Sequence, residues 1–283
     1  VILTRRTILE NFKNRRKFFR GIMSRLPTSI VIGTFFWRIA TGPLTQPSVF
    51  TLRGVLFITV QSPIIDSFYA GAASFQSTRG MLKREYYDGL YQISPYYLAY
   101  HAGFLAMQMP WTFAWVVPLY LLVGLPLEFE KVGVFVLTIF LVIVLACAAG
   151  STVGTWTKDT EGNRAVLMPA FIPMVIFSGY VIPYAQIPWV WKPIYFVSPL
   201  QWAITIIETS RYRGLEFDDC DASLPREDRR CFATGEEFLE EHTTQLAQAL
   251  GIPGMLCLCF GYIVFFMLCN IRAIRKCVLD GRV

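Results

Sequence analysis

Six stretches of this chain are apolar almost throughout: 22–40, 51–72, 95–125, 132–156, 164–182 and 253–271. Each approaches or exceeds the roughly 20 residues that a helix needs to cross the hydrocarbon core of a bilayer, so each is predicted as a membrane span. The third contains Pro110 and Pro118. The residues around Pro110 are too apolar for an aqueous loop, and one long, kinked or tilted helix is predicted there. The segment 183–252 breaks the pattern. Its first part, IPWVWKPIYFVSPLQWAITII, is aromatic but punctuated by Pro188, Pro193 and Pro199, which suits short re-entrant or interfacial helices. Its remainder, 208–248, is strongly polar.

Composition and charge turn this pattern into a topology. Of the 283 residues, 54% are hydrophobic and 16% charged, against roughly 25% charged in a soluble domain. The formal net charge of +6 is placed at the ends of the apolar runs, which orients spans rather than binding nucleic acid. Residues 1–25 hold Arg5, Arg6, Lys13, Arg15, Arg16, Lys17, Arg20 and Arg25 against Glu10 alone. Arg79, Lys83 and Arg84 follow the second span, and Arg272, Arg275, Lys276 and Arg282 follow the last. By contrast, 183–252 holds six Lys/Arg and eleven Asp/Glu. Basic flanks stay in the cytoplasm, so six spans put both termini there and 183–252 outside. The chain opens at Val1 on a basic segment without the shape of a signal peptide, and is expected to be a piece of a longer one.

Little in the sequence offers a reaction centre. Cys147, Cys257, Cys259 and Cys269 lie within apolar runs, where cysteine serves as a small hydrophobe. No Cys or His residues stand at metal-ligand spacing, and no metal site is expected. Cys277 follows the last run among basic residues, a setting in which palmitoylation occurs. His101, early in the third span, reads as a packing residue, and His242 lies on the polar loop. There is no Asn-x-Ser/Thr and no G-x-x-x-x-G-K-[ST], so neither N-glycosylation nor ATP binding through a Walker motif is expected of these residues. Asp66 reads as the one acid deep within an apolar run. A carboxylate there must face a cavity, meet a partner helix or be protonated.

The seam after the second span, KREYYDGLYQISPYYLAY over 83–100, is different. From its residues alone it is either a cytoplasmic amphipathic helix with a glycine turn and headgroup tyrosines, or a surface that another part pushes against. Its RE-x-x-x-G-x-Y, set by Arg84, Glu85, Gly89 and Tyr91, resembles the coupling helix in the membrane domain of G-subfamily ATP-binding-cassette (ABC) exporters, of pleiotropic-drug-resistance and half-transporter types. Four further stretches are similar to that family in the same order: RRTILENFKNRRKFF at the amino end, FSGYVIP over 177–183, IPWVWKPIYFVSPLQWAI, and CFATGEEFL over 231–239. Trp202 stands where the family usually has tyrosine, and Tyr180 where leucine is common.

The resemblance implies an all-α membrane protein: a six-transmembrane-helix bundle with an amphipathic connecting helix over 1–21, spans one to five within 22–182, a cytoplasmic coupling helix, an extracellular cap with re-entrant helices over 183–252, span six at 253–271 and a cytoplasmic tail at 272–283. It implies the membrane half of an ATP-driven exporter of lipids, sterols or amphipathic xenobiotics, in the plasma membrane. Ser62, Asp66, Phe171 and Ile172 would line its substrate cavity, and Tyr180 and Val181 would plug it. Arg84, Glu85, Gly89 and Tyr91 would couple it to a nucleotide-binding domain, with Glu85 meeting arginines such as Arg15 or Arg16, or that domain. The partners implied are a nucleotide-binding domain of the same parent chain, a second membrane domain and lipid. No cofactor is expected in this chain; ATP and Mg belong to the nucleotide-binding domain. Cys220 and Cys231, eleven residues apart in a loop on the oxidising side, are expected to pair with each other. Two other classes are weighed. A secondary carrier needs internal repeats, and 22–125 and 132–271 show none; a membrane enzyme needs a cluster of catalytic groups, which two distant histidines do not supply.

Overall fold

The computed structural model describes residues 2–42, 44–90, 92–157, 159–218, 220 and 231–279. In hydrocarbon every backbone N–H and C=O must find a partner within the protein, and the described chain meets this with helices. They are α1 (Ile2–Lys13), α2 (Arg15–Phe35), α3 (Gln46–Tyr87), α4 (Ile93–Val123), α5 (Phe129–Trp156), α6 (Thr160–Ile176), α7 (Lys192–Val197), α8 (Pro199–Tyr212), α9 (Gly235–His242) and α10 (Gln245–Leu279). Among the described residues, α3, α4, α5 and α10 are long and apolar enough to cross a membrane. The predicted first and fifth spans fall in α2 and α6. The first of these begins in the basic segment, at Arg15; the second has 17 residues and contains Pro169 and Pro173.

Two boundaries differ from the sequence reading. The connecting segment is two helices separated at Asn14, and the second runs unbroken into the first span. The seam after the second span is no separate element. Its charged residues continue α3, a helix of 42 residues, about 63 Å long at 1.5 Å per residue. Met81, Leu82, Lys83, Arg84 and Glu85 are all good helix formers, so nothing interrupts the helix before Gly89. There φ is +70°, and Leu90 N–H bonds to Glu85 C=O while Gly89 N–H bonds to Tyr86 C=O. That paired arrangement ends helices at a left-handed glycine.

The core lies between α3 and α5. Gly150 of α5 sits against the carbonyl of Phe68, Gly154 against that of Ala72, and Gly71 of α3 against Cys147. A methyl group at any of these would run into backbone, so small residues set how closely the two helices approach. Proline is absorbed by the neighbours. Pro63 deprives the Thr59 carbonyl of its helical partner, and Trp115 Nε1 of α4 donates to it at 3.2 Å. Pro118 does the same to Ala114, whose carbonyl accepts from Ser29 Oγ of α2 at 3.3 Å. The third apolar run is therefore one helix, α4, with both prolines inside it. α10 is bent at Gly251, whose φ is +61°.

After α6 the chain folds into short helices, α7 and α8, each with proline in its first turn, where the missing N–H costs nothing. α9 follows. Its cap comes from the TGEE sequence: Thr234 Oγ1 accepts from Glu237 N–H at 3.3 Å, and Glu237 Oε2 accepts from Ala233 N–H at 3.0 Å. Gly235 lies against the carbonyl of Tyr212, so this position admits no side chain. Cys220 and Cys231 are joined in a disulfide with their Cα atoms 5.8 Å apart.

Candidate functional site

A buried ion pair stands where α3 enters the short-helix region. Arg53 Nε lies 2.7 Å from Glu208 Oε1 of α8, their side chains 6% and 2% exposed. Arg53 Nη2 also donates to Gly179 C=O at 3.1 Å, and its guanidinium lies over the rings of Tyr180 and Phe238. One side chain thus ties α3 to α8, to the FSGY turn after α6 and to α9. Charges this deep survive only when paired and hydrogen-bonded, and both conditions are met. Tyr180 stacks on Phe57 with ring centroids 4.3 Å apart. Its hydroxyl reaches over Gly54, where a Cβ would stand 2.9 Å away. His242 stacks on Phe238 at 4.2 Å, and its Nδ1 lies 2.9 Å from Phe238 C=O. Burial first, and then the nearby Arg53 charge, hold its imidazole below the usual histidine range.

The opposite end of α3 is also tied. Glu85 Oε1 meets Arg6 Nη1 of α1 at 3.4 Å, an arginine of the connecting segment other than the expected Arg15 or Arg16. Gln76 Nε2 donates to the carbonyls of Thr157 and Asp159, and Arg79 Nη1 donates to Thr157 C=O at 3.0 Å. Asn163 completes this cluster through Gln76 and Thr157. The α5–α6 connection is therefore bonded to the same two turns of α3 that precede Glu85. Arg84 lies one residue before it on the helix, and Gly89 supplies the turn. Tyr91 lies outside the described residues.

The four residues proposed for a cavity lie on two neighbouring helices, α3 and α6. Ser62 and Asp66 are one turn apart on α3, and Phe171 of α6 is buried against Phe68, with ring centroids 6.3 Å apart. Ile172 is exposed on the same helix. Asp66 is 46% exposed and pairs with Arg25 Nε of α2 at 3.0 Å. Among the described residues the deeply buried acid is Glu208 rather than Asp66. Val181 is exposed beside the stacked Tyr180. His101 is buried against Tyr97 at 4.2 Å, with neither ring nitrogen hydrogen-bonded among the described residues. Cys147 and Cys259 are buried and Cys257 exposed.

Arg53 and Glu208 escaped the sequence reading although a signal was present. Arg53 interrupts TLRGVLF, and Glu208 ends AITII. Ionisable groups at such places are costly in a membrane and mark sites by default. Counted as the first residue of a polar loop, Glu208 was invisible as a buried residue of a helix.

Long apolar helices, breaks repaired between neighbours and a paired charge in the interior define an integral, multi-pass helical membrane protein. The family follows from comparison with known proteins: the ABC-2 type transporter profile matches residues 1–210, and the chain belongs to that family. It is 26% identical over 240 residues to ABC transporter G family member 4 of Arabidopsis thaliana, covering 82% of this chain and 39% of that protein. It is 23% identical over 230 residues to member 23 of the same plant, covering 81% of this chain and 36% of the relative. With member 37 it shares 23% over 195 residues, 68% of this chain but 13% of the relative. The chain thus spans well under half the length of these relatives. The resemblance read from the coupling, FSG and TGEE motifs agrees with this membership: the chain is an ABC transporter membrane domain related to the G family.

Proposed function

We propose that this domain is the membrane half of an ATP-driven exporter that moves lipids, sterols or amphipathic xenobiotics by alternating access. Two such domains, from two copies or two halves of one chain, would enclose the transport path. Ser62, Asp66, Phe171 and Ile172 would line it, and Tyr180 and Val181 would plug it. A nucleotide-binding domain of the same parent chain, with its ATP and Mg, would press on the α3 end that carries Arg84, Glu85, Gly89 and Tyr91. On this reading that end and both termini are cytoplasmic, 183–252 is extracellular, and the membrane is the plasma membrane.

The observation that supports this reading best is the continuity of α3. One helix carries Glu85 at one end and Arg53 at the other, about 48 Å apart at 1.5 Å per residue. Force applied at Glu85 reaches the Gly179–Tyr180 turn without crossing a flexible joint. Each tie then favours one arrangement of the bundle over the other, and a ligand or a nucleotide acts by biasing that balance.

Replacing Glu85 by alanine in the full-length transporter tests this. Arg6 is half exposed in its pair with Glu85, so the loss of stability should stay below about 1 kcal/mol. Binding of ATP and of transported compound should be unchanged, while hydrolysis continues without transport. Transport at the wild-type rate with normal substrate-stimulated hydrolysis would refute the coupling role.

A further inference from the structure

The open face of α2 changes character along its length. At 3.6 residues per turn, Arg16, Phe19, Arg20, Met23, Ile30 and Val31 fall within about a third of the helix circumference, and all six are exposed. The opposite face is packed on α4. Gly21 lies against the Trp111 ring, Arg25 stacks over that ring at 5.0 Å, and Ser29 Oγ donates to Ala114 C=O. Trp111 Nε1 also donates to Phe18 C=O at 3.1 Å. Protein thus holds one side of the helix. The other side is basic at Arg16 and Arg20 and apolar at Met23, Ile30 and Val31.

Two more cations gather where α1 gives way to α2. Lys13 and Arg15 flank Asn14 and are exposed, and the rings of Phe12 and Phe18 meet across the break with centroids 5.8 Å apart. None of Lys13, Arg15, Arg16 and Arg20 forms an ion pair among the described residues. The acids on α3 that meet this segment are taken elsewhere: Asp66 by Arg25, on the packed side of α2, and Glu85 by Arg6 of α1. Residues 1–25 hold one acid, Glu10, against eight Lys/Arg. Position selects the occupant. Hydrocarbon that covers Ile30 and Val31 brings lipid headgroups to the basic end of the same face, about 20 Å away along the axis. A domain in water could cover that basic end but not follow the face into its apolar part. A second copy, related by a two-fold axis along the membrane normal, would set like charges against each other.

We infer that this face binds an anionic phospholipid, its phosphate held between Arg16 and Arg20, with Phe19 and Met23 lying along its acyl chains. The two arginines are neighbours one turn apart, and guanidinium groups bind phosphate oxygens in paired hydrogen bonds. Lys13 and Arg15 add to the attraction for a further acidic group on the headgroup. The lipid pins the α1–α2 elbow at the membrane surface, and so sets where α1 places Arg6 against Glu85. The inference depends neither on what the domain transports nor on which side of the membrane the elbow faces.

The test places a pyrene at position 23 of the full-length protein, through Met23→Cys with the other reactive cysteines changed to serine. The protein is reconstituted in phosphatidylcholine vesicles carrying a small, fixed share of doxyl-labelled phosphatidylserine or doxyl-labelled phosphatidylcholine. Quenching by the serine lipid should be stronger by about threefold or more, and high salt should remove most of the difference. In Arg16→Gln/Arg20→Gln the two lipids should quench almost equally with the thermal midpoint unchanged; either single variant, with an intermediate ratio, serves if the double variant fails to fold. Arg272→Gln/Lys276→Gln, which removes an exposed basic pair at the end of α10, should keep the native ratio. Equal quenching by the two lipids in the native protein, or selectivity that survives Arg16→Gln/Arg20→Gln, would overturn the inference. So would selectivity lost equally in the α10 variant, since the attraction would then belong to the overall charge. Absence of quenching by either lipid would overturn it too, by showing that protein covers the face.

Discussion

Arg53 and Glu85 show how differently two ion pairs behave on one helix. The Arg53–Glu208 pair is sealed from solvent, and Arg53 also supports Gly179 and two aromatic rings. Removing one partner strands the other charge in the interior, a loss of roughly 3–5 kcal/mol. Glu208→Ala should therefore lower the thermal midpoint steeply, whereas Glu85→Ala should scarcely move it. Glu208→Gln, which keeps an acceptor for the guanidinium, should fall between them. Differential scanning fluorimetry of the three variants checks the order. Equal midpoints for Glu208→Ala and Glu85→Ala would show that Arg53 finds another partner or water.

At the scale of elements, the α3–α5 contact is set by what is missing. Gly150 lies against the carbonyl of Phe68, so Gly150→Val must push the helices apart, at a cost of about 1–3 kcal/mol or more. Gly133, on the same helix, has open space around it; Gly133→Ala should instead stabilise by up to about 1 kcal/mol through helix propensity. Chemical denaturation of the two variants should give shifts of opposite sign, and a shift of the same sign in both would remove the packing argument. The existence of α3, α4, α5 and α10 was legible because apolar length is a strong signal. Their limits were less so. The polar end of α3 reads in the sequence as a separate cytoplasmic helix because charge was taken as the end of the span, although a helix that leaves the membrane can continue unbroken in water. The turn at Gly89 was legible in the sequence; the pairing of Glu85 with Arg6 and of Arg53 with Glu208 was not, because contacts across 79 and 155 residues of sequence leave no local trace of the partner. The burial of Phe171, and the pairing of Asp66 with Arg25, follow from how α2, α3 and α6 are set side by side, which no pattern along one helix contains.

For the whole molecule, α3 is the member on which the other contacts converge. At one end it holds α1 and the α5–α6 connection, through Glu85, Gln76 and Arg79. At the other it holds α8, the FSGY turn and α9 through Arg53. The cap is also pinned to its first residue and to the segment just before it: Gln46 Nε2 donates to Phe232 C=O at 2.7 Å, and Asp218 accepts from Leu44 N–H at 3.0 Å. At about 63 Å the helix is twice as long as the hydrocarbon core is thick, roughly 30 Å. Its ends therefore lie beyond that core on at least one side, where soluble elements can grip it.

A lever is only as useful as its stiffness at midspan, and α3 carries Pro63 there. The indole of Trp115, bonded to the Thr59 carbonyl, acts as a splint: it restores from outside the bond that the helix cannot make for itself. Bending at Pro63 is then governed by α4. Trp115→Phe keeps the ring but removes the donor, leaving a buried carbonyl unpaired at about 1–3 kcal/mol. Spin labels at the exposed positions 50 and 87 should report one narrow distance in the native protein and a broadened distribution in the variant. A distribution that stays narrow would mean that the helix is stiff without its splint. If it broadens, a movement at one end of α3 would be spent in flexing the middle, and the far end would no longer follow.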